Sequence, residues 1–128
     1  MIYTMTTNKT LTEIKKEVAL VANENAFGVL KEYEFRQILQ EKGFPIKRKI
    51  TVYELCNPKA ASEALDLYPE ISSFLPCRLS IYETDGVTVI STIDMEKILH
   101  SFTQMDYVLK KHLHQIYLNL KNVILGLV

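Results

Sequence analysis

The 128 residues and 14.8 kDa suit one domain spanning the whole chain, with a single core able to bury about two thirds of the unfolded surface. Hydrophobic residues at 48% and charged residues at 23% exclude disorder, a collagen-like repeat and a disulfide-dense scaffold. Fifteen Lys plus Arg offset fifteen Asp plus Glu, so no overall field draws the chain to a nucleic acid or an acidic membrane, and neither partner is expected.

The opening MIYTMTTNKT has no basic end followed by an apolar run, and no apolar stretch approaches the roughly 18 residues of a membrane span. A cytoplasmic location is therefore expected. Two cysteines, Cys56 and Cys77, are too few for a secreted staple framework and are expected to stay thiols in a reducing compartment.

In chain order, residues 2 to 7 are β-prone. Thr10 to Glu24 then set Leu11, Ile14, Val18, Val21 and Ala22 at helical spacing behind a Thr10-x-x-Glu13 capping box. Asn25 and Gly28 are expected to break that helix. Phe27 to Tyr33 reads as a second strand, and Phe35, Ile38 and Leu39 mark a short helix that Gly43 ends. From Lys49 the period becomes two, Ile50 and Val52 alternating with Thr51 and Tyr53, and the strand runs into Leu55-Cys56. Asn57 is a favoured N-cap, because its side-chain oxygen accepts an orphan backbone N–H. Pro58 suits the first helical position, where the donor it lacks has no partner anyway. The following AASEAL reads as helix. After a connection from Pro69 to Pro76, Arg78 to Glu83 and Val87 to Thr92 flank Thr84-Asp85-Gly86 as a hairpin. Leu109, Leu113, Ile116, Leu120, Val123 and Leu127 predict a long amphipathic helix from about Asp106. The predicted order is β-α-β-α-β-α-β-β-α.

The chemically most suggestive position is Cys56-Asn57-Pro58, a thiol at the junction of a strand and a helix N-terminus. Backbone N–H groups and the helix dipole there favour the thiolate, the nucleophilic and metal-binding form. The competing reading is a small buried residue that ends a strand, a common fate of free cysteine. Cys77 opens a strand after Pro76, and if that strand neighbours the one ending at Cys56 the two sulfurs share a site. The pair lacks the C-x-x-C spacing of a redox or zinc motif, and structural zinc usually takes four ligands. No cofactor is called for. His112 and His114 stand at i and i+2 and cannot share one ion as an i, i+4 pair can; with His100 they read as solvated or capping groups. Lys47-Arg48-Lys49 and Lys110-Lys111 read as solvated surface, since no glycine-rich cradle accompanies them. Glu54 and Glu83, near strand ends, are candidate acid or base groups. No Ser-His-Asp set, P-loop or dinucleotide fingerprint is present. The tail Val123-Ile124-Leu125-Gly126-Leu127-Val128 needs cover, either on the domain's own sheet or in a twofold dimer.

Three segments together resemble a known family: Ala26-Phe27-Gly28-Val29-Leu30, Glu54-Leu55-Cys56-Asn57-Pro58-Lys59-Ala60-Ala61 and Leu75-Pro76-Cys77-Arg78-Leu79. They look like the bacterial and archaeal domain-of-unknown-function 302 family, over roughly residues 1 to 95. The resemblance implies a compact α+β domain with a mostly antiparallel sheet of about five strands, helices packed on it and a long C-terminal helix, distantly like the TATA-binding-protein fold. It also implies a tendency to homodimerise; DNA binding does not follow from it. The family's motifs fall on Cys56, Asn57, Pro58, Leu75, Pro76 and Cys77. The first expectation is thus a non-catalytic, homodimeric module holding a small-molecule ligand near Cys56, Asn57, Pro58 and Cys77. The alternatives are a thiol-based redox enzyme or sensor with Cys56 as nucleophile and Cys77 as resolving partner, and a soft-metal site on the same two sulfurs.

Overall fold

The computed structural model describes residues 1–101 and 103–128. Its elements are β1 (Ile2–Thr7), α1 (Leu11–Glu24), β2 (Gly28–Glu34), α2 (Phe35–Glu41), β3 (Ile50–Cys56), α3 (Pro58–Leu67), a 3₁₀ turn (Pro69–Ser73), β4 (Cys77–Thr84), β5 (Val87–Ile93), α4 (Met95–Ser101) and α5 (Tyr107–Leu127). The strands form one antiparallel sheet in the order β1-β5-β4-β3-β2. The α+β class, the predicted element order and the long last helix all hold. The 3₁₀ turn and α4, neither of them anticipated, add to that order; α4 has one buried residue, Leu99, too few to create a helical period in the sequence.

Helix α1 starts as expected, the Thr10 hydroxyl accepting from the Glu13 N–H at 3.1 Å, and Glu83 on β4 accepts from the Leu11 N–H at 2.9 Å. The helix ends at Glu24 with Asn25 as the C-cap, as expected, but the residue that completes the turn is not the expected glycine. Ala26, at φ 65°, takes the left-handed position, while the Phe27 N–H reaches Ala22 O at 2.8 Å and the Ala26 N–H reaches Asn23 O at 3.1 Å. This is a Schellman termination with alanine where glycine is usual. Gly28 instead opens β2. The turn swings Phe27 into the core, where it is 1% exposed. The β4–β5 hairpin closes through Asp85 (φ 50°) and Gly86 (φ 81°), the two positive angles of a type I′ turn.

Strand β3 alternates as read, and its buried set is Thr51, Tyr53 and Leu55, with Ile50 and Val52 half-buried on the opposite face. That phase puts two hydroxyls inward, and both are satisfied by the neighbouring strand. Tyr53 donates to Glu32 at 2.5 Å, and Thr51 donates to the Glu34 carboxylate at 3.1 Å; Lys15 of α1 pairs with that same carboxylate. With the hydroxyls bonded, burying them carries no unpaired-group penalty.

Two apolar clusters result. The larger joins the inner face of the sheet to α1 and the second half of α5, from Ile116 to Leu127. The smaller joins Ala64 of α3, Ile71 of the 3₁₀ turn, Leu99 of α4, and Leu109 and Leu113 of α5. One face of the apolar tail is covered by the chain's own core, with Val123, Ile124 and Leu127 fully buried in the larger cluster, while Leu125 and Val128 are exposed. A β-carbon on Gly126 would sit 2.8 Å from Val21 Cγ1, so its absence lets α1 and α5 approach.

Candidate functional site

The local chemistry at residues 56–60 follows the expectation. Asn57 is extended (φ −98°, ψ 99°) and caps α3, its side-chain oxygen accepting from the Ala60 N–H at 3.1 Å while Pro58 occupies the first helical turn. The Asn57 side-chain carbonyl is thus committed to the helix. Antiparallel register pairs Leu55 with Cys77, so Cys56, the last residue of β3 and the register partner of Gly28 on β2, lies beside the start of β4. Both cysteines are free and partly buried.

They line one cavity of about 250 Å³ at the seam between the two clusters. Phe27, Leu30 and Leu55 contribute from the sheet side, Ala61 and Leu65 from α3, Ile116 from α5, and Leu75 and Pro76 from the connection into β4. Asn57, Ser72 and the two thiols are the polar groups among the described lining, which includes no carboxylate, imidazole or ammonium. Pro58 is not part of the lining. The surroundings act on Cys77: burial first, and then the neighbouring Cys56, push its thiol up to about 12. Removing the sulfur from water penalises the thiolate, so Cys77 stays protonated at neutral pH.

Several other candidates have structural duties. Glu83 holds the start of α1, and Glu54 accepts a hydrogen bond from Tyr33 and stands opposite Arg78 in the β3–β4 register. Arg48 of the basic run lies over the Tyr82 ring at 5.9 Å. Among the described residues no group of three or more His, Cys, Asp or Glu side chains is placed to hold a metal ion, and no helix is long and apolar enough to cross a membrane. Sequence reasoning missed Leu30, Ser72 and Ile116 as neighbours of the cysteines. Ile116 was visible only as one member of an amphipathic stripe; nothing local marks it as cavity-lining, because that depends on where α5 crosses β3.

The fold and cavity define a class: a two-layer α+β domain with a small apolar chamber where a strand–Asn-Pro–helix junction meets a Leu-Pro-Cys strand start. The chain belongs to the family described as Domain of unknown function DUF302, which it matches over residues 3–127. It is also similar to the crystal structure of an uncharacterized conserved protein DUF302 from Bacillus stearothermophilus, with 26% identity and a TM-score of 0.84 over 95% of this chain and 94% of that one. No curated protein matches.

Proposed function

We propose that this chain is a non-catalytic module that forms a homodimer and holds a small, uncharged, mainly apolar molecule in the seam cavity. The observation that carries the reading is the lining itself, apolar side chains with a few convergent polar groups and no charge, the composition expected of a small-molecule pocket. The cavity of about 250 Å³ exceeds the roughly 150 Å³ that accommodates benzene, which suits a substituted ring or a short acyl chain. Cys56, Asn57 and Cys77 supply the polar contacts, and Pro58 fixes the helix that carries Ala61 and Leu65. Because Cys77 is held as a thiol, it serves as a weak hydrogen-bonding wall. A cytoplasmic setting keeps both sulfurs reduced.

Amide NMR with indole and hexanol as probes tests the pocket. Shifts grouped on residues 27–30, 55–61 and 72–77, and their loss in Ala61→Phe, are the expected result. No response to either probe, or an undiminished response in Ala61→Phe, refutes it. For the dimer, support comes from Ile2 and Ile93, register partners on the outer face of β1 and β5 and 63% and 47% exposed. Light scattering is expected to return twice the 14.8 kDa chain mass, and a monomer at micromolar concentration counts against it.

A second reading, thiol redox chemistry, is favoured by the one fact that both sulfurs line the same chamber. Hydrogen peroxide would take two thiols to one disulfide and two waters, Cys56 attacking first and Cys77 displacing water from the sulfenic acid. The raised Cys77 thiol weighs against that second step. Peroxide treatment followed by intact mass measurement separates the readings, a loss of two hydrogens supporting redox chemistry. Iodoacetamide labelling of neither cysteine between about pH 6 and about pH 9 dismisses it. A soft metal on the same sulfurs would lack a third ligand of the His, Cys, Asp or Glu type among the described residues.

A further inference from the structure

Helix α5 carries a second stripe beside the apolar one. Tyr107, Lys110, Lys111 and His114 recur at i, i+3, i+4 and i+7, the spacing that gathers side chains on one helical face. Helix α4 offers Glu96, Leu99 and His100 at i, i+3 and i+4. The two rows line one groove of about 530 Å³, a size typical of a small-molecule site. The fold therefore unites His100 with His114, which stand fourteen positions apart in sequence, while leaving out His112.

Charge in this groove is one-sided although the whole chain is balanced at 15 against 15. Glu96 is the only acid among the described lining residues, and it is engaged elsewhere. Lys121 sits 3.8 Å from it, with the same ammonium over the Tyr3 and Tyr117 rings at 4.9 and 5.2 Å. Burial first, and then the charges of Asp94 and Glu96, push the Tyr117 phenol up. Among the described residues neither Lys110 nor Lys111 nor either histidine has an ion-pair partner. Leu99, 7% exposed, forms an apolar floor, and Tyr107, 76% exposed, stands free at the rim.

We propose that the α4–α5 groove binds a small phosphomonoester of mononucleotide size. Lys110 and Lys111 supply point charges for the phosphate, His100 and His114 donate hydrogen bonds from opposite walls, and Tyr107 offers a ring and a hydroxyl to the rest of the ligand. An uncharged molecule would leave the two lysines unused, and a bare phosphate would leave the Leu99 floor and Tyr107 unused. This site is separate from the seam cavity, and neither proposal depends on the other.

The test uses adenosine monophosphate, adenosine and inorganic phosphate as probes, followed by amide NMR at low salt. Adenosine monophosphate is expected to shift residues 96–100 and 107–114 in a saturable manner. Inorganic phosphate should shift the same residues with at least tenfold weaker affinity, and adenosine should leave them unmoved. The double variant Lys110→Gln/Lys111→Gln, both on the helix surface, should lose at least tenfold in affinity for adenosine monophosphate while keeping the parent melting temperature. His100→Gln, on the other wall, should weaken binding severalfold. The proposal falls if adenosine monophosphate leaves the groove unmoved at millimolar concentration, if adenosine binds as well, or if the double variant binds as tightly as the parent. Inorganic phosphate binding as tightly as the nucleotide overturns the phosphomonoester assignment and leaves a simple anion site.

Discussion

The two apolar clusters are built from different materials, and α5 contributes buried residues to both. The larger takes residues from strands β1, β3, β4 and β5 and from two long helices, with hydrogen-bonded ladders behind every strand. The smaller is assembled from α3, the five-residue 3₁₀ turn, α4 and the first half of α5. Its polar tie is Tyr68, which donates to Asp106 at 2.8 Å while Asp106 caps α5 by accepting from the Val108 and Leu109 N–H groups. Those bonds, Tyr68 first, hold the Asp106 carboxyl below its usual range. Segments with little buried area and short helices open at lower free-energy cost than ladders locked in a core. The seam cavity lies between these two clusters, so a ligand of the proposed kind would enter by loosening the smaller cluster without unfolding the sheet.

The largest effect that tests this contrast is truncation on each side. Leu79→Ala, at a fully buried sheet position, should cost about 3–4 kcal/mol in urea unfolding. Leu99→Ala, 7% exposed in the smaller cluster, should cost about 2 kcal/mol at most. Its faster hydrogen exchange should be confined to residues 58–74, 95–101 and the start of α5. Equal global costs, or exchange spreading through β4 and β5, would break the contrast and make the two clusters one cooperative unit.

Alkali probes the seam itself. Cys77 has a folded-state thiol pushed from about 9 to about 12, so its contribution is fully present below about pH 9. The unfolded thiol ionises first as pH rises, and stability is lost from there until the folded thiol also ionises. The parent should therefore lose about 2 kcal/mol more than Cys77→Ala across that window. Each tenfold change in acidity is worth about 1.4 kcal/mol, and the partial exposure of the sulfur reduces the full sum by roughly half. Parallel alkaline unfolding curves for the two proteins would show that the sulfur is well hydrated.

The same contrast explains what sequence alone disclosed. Helix α1, the β4–β5 hairpin, the Asn57 cap and α5 were legible because each rests on a local signal: a period, a turn dipeptide or a cap. Helix α4 was not, having only Leu99 to bury. The inward phase of β3 was also hidden, since Thr51 and Tyr53 become core residues only through Glu34 and Glu32 on the adjacent strand. For the site, the strand–cap–helix junction at Cys56 was readable. That Cys77 lies beside it follows from a pairing register between distant segments, and the His100–His114 groove from a helix crossing. Asn57→Ala tests the readable part. Losing the cap should cost about 1 kcal/mol, with increased exchange at Ala60 and Ala61 and little change in β3, and a neutral result would mean that Pro58 alone sets the start of α3.

The smallest effect concerns the larger cluster, where Asn25 caps α1 as expected but the left-handed residue that follows is Ala26 and not the expected Gly28. Ala26 occupies a left-handed backbone position at φ 65°, a conformation that costs a residue with a β-carbon about 1–2 kcal/mol relative to the right-handed one. Glycine removes that cost but gives back about 0.5–1 kcal/mol through the greater freedom of its unfolded chain. Ala26→Gly should therefore raise stability by about 0.5 kcal/mol, measured as a higher urea midpoint with an unchanged slope. Because the Schellman turn aims Phe27 at the cavity, the variant should also leave indole affinity unchanged. A gain in stability accompanied by altered binding would show that the strained turn tunes the chamber as well as ending the helix.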